Sequence, residues 1–375
     1  MASLLYSLLP YHPFKALYVF LVALSISVRA PFWLLYLIPR FLRQHPSWTL
    51  RQSFMMKLFS VASHHTSLVR QHPHWSLLPG AEKDRYERIS PSQKDIYRGV
   101  LNDKEIKPVE VGGTWYPTVY KSTTDAECKA VILHLHGGAF VVGDGRQADL
   151  GHGAALLTSH TDSYVFGLQY RISSNPGCRF PAALQDAVTA YHSLLSRGIP
   201  ASSIILSGDS AGGNLIIALL RYITEHPDVL PKPKAALLWC PWVDPAACLQ
   251  PYACSSNRNA RTDFLQDAFG EWGVRAYAPA PLVDARAPYI SPVDHPFRCA
   301  GVPMWVQFGE VEILADSIVR FAAGMRGVEG NEVEVHEDKG APHDIFLLGA
   351  LLGFRDATEK MAGAMGEWVR GKMGD

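Results

Sequence analysis

Net charge is the first thing this sequence does without: 35 Lys and Arg balance 35 Asp and Glu over 375 residues, and charged residues make up only 19% of the chain. Such a balance gives no general attraction to a polyanion, and no basic stripe interleaved with aromatics is present, so nucleic acid is not expected as a partner. Zinc-type spacing is missing too. The six cysteines (Cys128, Cys178, Cys240, Cys248, Cys254, Cys299) form no C-x-x-C pair, and no Cys/His cluster has zinc spacing, so no zinc site is expected and the thiols read as buried and free. A Cys248–Cys254 bridge is conceivable only in an oxidising lumen. There is no N-x-S/T sequon, which counts against a heavily glycosylated secreted product, and neither an internal repeat nor a low-complexity tract. Apolar residues, by contrast, reach 48%, enough for the core of one large α/β domain with extra helices.

The N-terminus stands apart. Phe14 to Val28 reads FKALYVFLVALSISV, Arg29, Ala30 and Pro31 interrupt it, and FWLLYLI resumes from Phe32 to Ile38. Together the halves are long enough to cross a bilayer, which takes about 20 apolar residues, although Arg29 would then sit near the middle. A retained membrane anchor, spanning or interfacial, is expected. A cleaved signal peptide and a helix packed on the enzyme are the alternatives. Arg40, Arg43, Arg51 and Lys57 follow the run while only Lys15 begins it, a small bias toward a cytosolic main domain that leaves the membrane face open.

Residues 39–110 lack strand alternation and read as helices and loops ahead of the sheet. From about Thr114 the pattern is that of an α/β domain. TWYPTVY (Thr114–Tyr120), KAVILHLH (Lys129–His136), SYVFGLQY (Ser163–Tyr170), SIILSGD (Ser203–Asp209), AALLWC (Ala235–Cys240), PMWVQFG (Pro303–Gly309) and EVEVHE (Glu332–Glu337) are the expected strands. A helix opens with Pro181 and closes at Gly198. Apolar strands alternating with helices imply a mostly parallel sheet covered on both faces, with ligands beyond the carboxyl ends of its strands. The expected division is an anchor over 1–38, a helical segment over 39–110, and an α/β domain over 111–375.

The decisive string is GDSAGGN, Gly208 to Asn214. It follows a β-branched strand and precedes a helical apolar run, so Gly208-Asp209-Ser210-Ala211-Gly212 has both the spelling and the setting of a nucleophile elbow. A turn this sharp strains the serine backbone, and side chains in place of the glycines would collide with the neighbouring strand or helix. About 70 residues earlier, HGGAF (His136–Phe140) follows a buried strand. Consecutive glycines there can aim N–H groups at a developing oxyanion, where each donor is worth about 3 kcal/mol. Near the end, GAPHDIF places His343 on a loop after the last strand, where the base of an acid-then-His order belongs. His136 is its rival, and is assigned instead to the oxyanion loop. Acidic candidates lie in GEVEILAD: Glu310, Glu312 and Asp316.

From Lys129 onward the strings HLHGGAFVVG, YRISSNPGCRFPAALQDAVTAYHSLL and GDSAGGNL resemble the hormone-sensitive-lipase branch of the α/β-hydrolases, with the arylacetamide deacetylases as its membrane-anchored members. The resemblance implies an α/β-hydrolase fold whose helical cap comes from residues 39–110 and an insertion at about 250–281 in the catalytic domain, 111–375, and a serine carboxyl-ester hydrolase working through an acyl-enzyme without cofactor or metal. It implies catalytic Ser210 and His343, and oxyanion N–H groups from Gly137, Gly138 and Ala211, with Ala139 standing where many members have a third glycine. The family's Gly-x-x-Asp-x-Leu-x-Asp registers onto Gly309, Glu312, Leu314 and Asp316, making Glu312 the acid in place of the commoner Asp. Asp186 matches a family position and is read as structural support.

The expected partner is a small lipophilic ester of short, acetyl-type acyl group, on a sterol, lipid or secondary metabolite. Trp272 and Tyr277 are read as cap packing or, alternatively, pocket lining. The expected localisation is the endoplasmic-reticulum membrane, through the N-terminal anchor. An acyltransferase, lyase or cyclase, an amidase, and an inert receptor are the competing readings.

Overall fold

The computed structural model of the chain describes residues 9, 11–70, 75–121 and 130–374. Cys128 and Lys129 lie outside them. Eight strands form one sheet: β1 (Tyr86–Ile89), β2 (Val111–Tyr116), β3 (Val131–Leu135), β4 (Tyr164–Gln169), β5 (Ile204–Asp209), β6 (Ala235–Trp239), β7 (Met304–Gly309) and β8 (Val333–Asp338). Their order is β1-β2-β4-β3-β5-β6-β7-β8. β2 pairs antiparallel with β1 and β4, and every other pairing is parallel.

Two expectations change at the first edge. Residues 39–110 are not only helices and loops, because β1 inside them joins the sheet. The strand expected over Thr114–Tyr120 begins three residues sooner and ends before Pro117, which has no N–H for the ladder. Gly112 and Gly113 hide its start from a hydropathy reading, and both are sterically required. A Cβ on Gly112 would stand 1.8 Å from the Tyr86 hydroxyl, and one on Gly113 2.1 Å from the Phe166 ring. The far edge, β8, keeps polar residues Glu334, His336 and Glu337 off the core, as an edge strand does.

Helices pack around the sheet, while the first of them lies on the second. They are α1 (Phe14–Leu37), α2 (Leu50–Val69), α3 (Gln147–Thr161), α4 (Ala182–Ser196), α5 (Ala211–Glu225), α6 (Asp267–Tyr277), α7 (Ala315–Arg326), α8 (Ile345–Leu352) and α9 (Arg355–Met373). α5 is the central one, buried from Ala211 through Ile223. Asp186 on α4 accepts from the Arg171 backbone N–H at 2.8 Å and from its guanidinium at 2.7 Å. This buried, bidentate ion pair ties the exit of β4 to α4, the supporting place expected for Asp186.

α2 opens with a capping box, in which Thr49 Oγ1 accepts from Gln52 N at 3.2 Å and Thr49 N donates to Gln52 Oε1 at 2.7 Å. α1 runs antiparallel along it. Tyr18 near the start of α1 hydrogen-bonds His65 near the end of α2 at 2.6 Å. One face of α1 (Tyr18, Val22, Ile26, Trp33, Leu37) is partly or wholly covered, while the opposite stripe (Leu17, Leu21, Leu24, Val28, Phe32, Leu35) is open. At 24 residues, or roughly 36 Å, α1 is the helix among the described residues long and apolar enough to cross a membrane.

Candidate active site

Ser210 stands between β5 and α5 with φ +50°, a left-handed conformation that costs a non-glycine residue roughly 1–3 kcal/mol. The flanking glycines make the turn possible. A Cβ on Gly208 would lie 2.5 Å from the Gly212 carbonyl carbon, and one on Gly212 1.9 Å from Leu135 O. Hydrogen bonds hold the strained residue from both sides: Ser210 N donates to Trp239 O and Trp242 N donates to Ser210 O, each at 2.9 Å. Behind it, buried Asp209 meets His134 Nε2 at 3.0 Å, and the other nitrogen of His134 lies 3.0 Å from Ser207 Oγ. This brace carries no motif.

The loop after β8 brings His343 over the serine, with Nε2 3.2 Å from Ser210 Oγ. On the other side, Nδ1 lies 3.5 Å from Glu312 Oε1. Both atoms are buried and have no other partner, so each is the other's natural one. Glu312 Oε2 accepts from Gly309 N at 3.0 Å, fixing the carboxylate plane. Burial pulls the imidazole pKa down, but Glu312, with Asp263 and Asp344 beyond it, outweighs burial and raises it to about 9. Burial pushes Glu312 upward.

The other two acids go elsewhere. Glu310 accepts from Gly340 N at 2.8 Å, and Asp316 pairs with exposed Arg258 at 2.6 Å. His136 is buried with Nδ1 2.8 Å from Gly137 O and its ring stacked on Tyr170 at 4.1 Å. Burial lowers its pKa and keeps it neutral.

Gly137 and Gly138 follow β3 after His136, and Gly138 has φ +97°. Among the described residues, no hydrogen bond within the protein uses the N–H of Gly137, Gly138 or Ala211. A side chain at Gly137 would strike the Asp209 carboxylate at 2.2 Å. Ala139, in place of a third glycine, takes φ +51° and lines the cavity in front of Ser210.

A family model described as the alpha/beta hydrolase fold matches residues 132–347. The chain belongs to the α/β-hydrolase fold family. Within it this hydrolase falls in the hormone-sensitive-lipase-like branch and is of carboxylesterase type. An acetyl-hydrolase of Streptomyces hygroscopicus is 35% identical over 187 residues, 49% of this chain and 58% of the relative. An esterase of Acinetobacter venetianus is 28% identical over 287 residues, 75% of this chain and 85% of that one. A crystal structure of a hormone-sensitive lipase from a metagenome library superposes with TM-score 0.57 at 28% identity, covering 70% of this chain and 82% of the other.

The hydrolase's cavity, about 260 Å³, has Ser210 and Ala139 in its wall, with Trp242, Leu265, Phe269 and Ile313 supplying apolar surface. Trp272 and Tyr277 do not line it. Tyr277 is stacked flat on Phe140 at 3.7 Å, so the packing alternative is the one found. Cys248 and Cys254 are free thiols in the cavity wall. Cys240 Sγ, a Glu312 oxygen and a His343 nitrogen lie within 4.8 Å of one another. Burial pushes the Cys240 thiol pKa up.

Sequence reasoning missed what holds the acid. Residues 257–263 form a strap across the loop that carries Glu312. Asn257 Nδ2 donates to Ile313 O at 3.1 Å and Asn259 Nδ2 to Glu312 O at 2.8 Å. Thr262 Oγ1 donates to Val311 O at 2.8 Å. Asp263, fully buried, accepts from Ile313 N at 2.6 Å through Oδ2 and from Phe264 N at 2.6 Å through Oδ1. The Phe264 ring packs 5.6 Å from that of His343.

Asp263→Asn turns an NH2 toward the Ile313 N–H, donor against donor, and removes a negative charge facing the imidazole. Its expected effect is a loss of kcat of roughly 10- to 100-fold with little change in KM. The ascending limb of the pH–rate profile moves to lower pH, because imidazolium is less favoured. Steady-state kinetics across pH, beside a thermal melt, check this. A lower Tm with an unmoved pH profile would leave Asp263 as a fold residue only.

Proposed function

We propose that this hydrolase is a membrane-associated serine esterase that removes short, acetyl-type acyl groups from a lipophilic alcohol through an acyl-enzyme. The observation that carries the reading is the chain of contacts from strained Ser210 through His343 to Glu312 at one wall of a small apolar cavity. In the proposed cycle, His343 Nε2 takes the Ser210 Oγ proton as Oγ bonds to the ester carbonyl carbon. The tetrahedral oxyanion lies against the N–H groups of Gly137, Gly138 and Ala211. As the intermediate collapses, the C–O bond to the alcohol breaks and Nε2–H protonates the leaving oxygen. Water, deprotonated by the same nitrogen, then attacks the acyl-enzyme and releases the carboxylic acid and free serine. Glu312 holds the imidazole with its proton on Nδ1 and offsets the positive charge that Nε2 acquires.

The cavity supports the short-acyl reading, since 260 Å³ is small beside the roughly 300–1,000 Å³ typical of ligand pockets. The names of the acetyl-hydrolase and esterase relatives point the same way. The open stripe of α1 supports membrane association. Hydrolysis of p-nitrophenyl esters from acetate to palmitate tests the reading, with fluorophosphonate labelling of Ser210 as its companion. We expect kcat/KM to be highest for the short acyl groups and to fall steeply along the series, with one label per chain. A maximum at palmitate would overturn the short-acyl assignment. A folded protein that neither turns over nor labels would overturn the esterase itself.

A further inference from the structure

We infer that the cavity beneath the C-terminal end of α1 binds the anionic headgroup of a membrane phospholipid, and that its occupancy bears on the Glu312 loop through the strap. This rests on the membrane-associated esterase reading above. The cavity, about 290 Å³, is lined by Trp33, Tyr36, Gln44, Lys57, Ser60 and Arg261 among others, and no acidic residue lines it. Two of the nearby cations are already engaged. The Arg43 guanidinium bonds the carbonyls of Leu37, Ile38 and Trp48 at 3.0, 3.0 and 2.8 Å, and Arg258 pairs with Asp316. Lys57 and Arg261, both exposed, make no ion pair or side-chain hydrogen bond among the described residues. Two unspent cations therefore meet at one cavity.

Gln44, held by its Nε2 donating to Ser53 O at 2.9 Å, adds a polar side chain to the wall. The cavity's depth relative to a bilayer follows from α1. Because α1 lies along α2, its open stripe meets lipid side-on, as an interfacial helix does. Phe41, 85% exposed, extends that apolar surface past the helix end. Trp33 and Tyr36 are amphipathic rings of the kind that settle at headgroup level, where basic pockets collect anionic lipids.

The route to the acid is short. Ala260 and Arg261 line the cavity, while their neighbours Asn259 and Thr262 hold Glu312 O and Val311 O. A headgroup on Arg261 steadies the strap segment that fixes the acid.

The test uses the full chain with vesicles of phosphatidylcholine alone or with one-fifth phosphatidylglycerol. It reads flotation and p-nitrophenyl acetate turnover as anionic-to-neutral ratios. For the wild type we expect turnover about fivefold higher on anionic vesicles. Lys57→Gln/Arg261→Gln should float with anionic vesicles about 10- to 30-fold more weakly and bring the turnover ratio to one. Lys15→Gln/Arg40→Gln, which removes two cations outside the cavity, should keep both ratios. Loss of the ratios in that second variant would mean diffuse attraction and overturn the site, as would an unchanged Lys57/Arg261 variant. Equal stimulation by inorganic phosphate alone would assign the cavity to a soluble anion and overturn the lipid. Turnover in neutral detergent micelles and flotation with neutral vesicles read the esterase and the membrane association separately.

Discussion

Ser210→Ala is expected to lower kcat for p-nitrophenyl acetate by at least about 1,000-fold while leaving the fold and substrate binding nearly intact. The change removes one oxygen from a half-buried residue whose backbone is held through its own N–H and C=O by Trp239 and Trp242, so the turn does not depend on the side chain. Alanine at φ +50° is no worse placed than serine. The N–H groups of Gly137, Gly138 and Ala211, proposed above as the oxyanion hole, also remain, and in that role they should sustain residual turnover above the uncatalysed rate. Parallel measurements of kcat, Tm and fluorophosphonate labelling check the prediction. A variant within tenfold of wild type would mean that another group attacks the ester.

Glu312→Gln is expected to cost about 10,000-fold in kcat near neutrality, for a reason written in the hydrogen bonds. Glu312 uses one oxygen to accept from Gly309 N at 3.0 Å. A glutamine keeps its carbonyl there and so turns its NH2 toward His343 Nδ1. That nitrogen must then be the acceptor, which moves the ring proton to Nε2, the atom that has to receive the Ser210 proton. The variant holds the imidazole in the wrong tautomer. It also removes the charge that raises the His343 pKa to about 9. Wild-type activity therefore rises with pH through the alkaline side of neutrality, as imidazolium gives way to imidazole, and the limb moves to lower pH in Glu312→Gln. An unmoved limb would mean that His343 is not the titrating base. Glu312→Asp tests reach separately: it keeps charge and tautomer while shortening the side chain, and should recover part of the activity.

The parts of the site visible in the sequence are those where backbone shape forces a residue type. Gly208, Gly212, Gly137 and Gly138 each stand where a Cβ would meet backbone or a buried carboxylate, so GDSAGGN and HGGAF spell out geometry directly. The acid was less legible for a related reason. Three acidic residues follow β7 within seven positions, Glu310 and Glu312 on the loop and Asp316 in the first turn of α7, nothing in their spacing ranks them, and only the family register favoured Glu312. The contacts then separate them, with Glu310 turned to Gly340 and Asp316 to Arg258. The strap left no trace at all. Its bonds run from Asn, Thr and Asp side chains to backbone on an irregular segment, and such bonds impose no period and little composition. β1 was lost for want of length, and the start of β2 because its glycines make room for rings that lie far off in sequence.

The excursion between β6 and β7 contains two neighbouring stretches with different obligations. Asn257, Asn259, Thr262 and Asp263 grip the loop that bears Glu312, whereas Leu265 and Phe269 supply apolar surface to the cavity wall. Acyl preference can therefore drift in the second stretch at little cost to turnover, while changes a few positions earlier strike the chemistry itself. Selection for new esters, in nature or in a library, has its freedom at Leu265 and Phe269 and finds almost none at Asn259, Thr262 and Asp263.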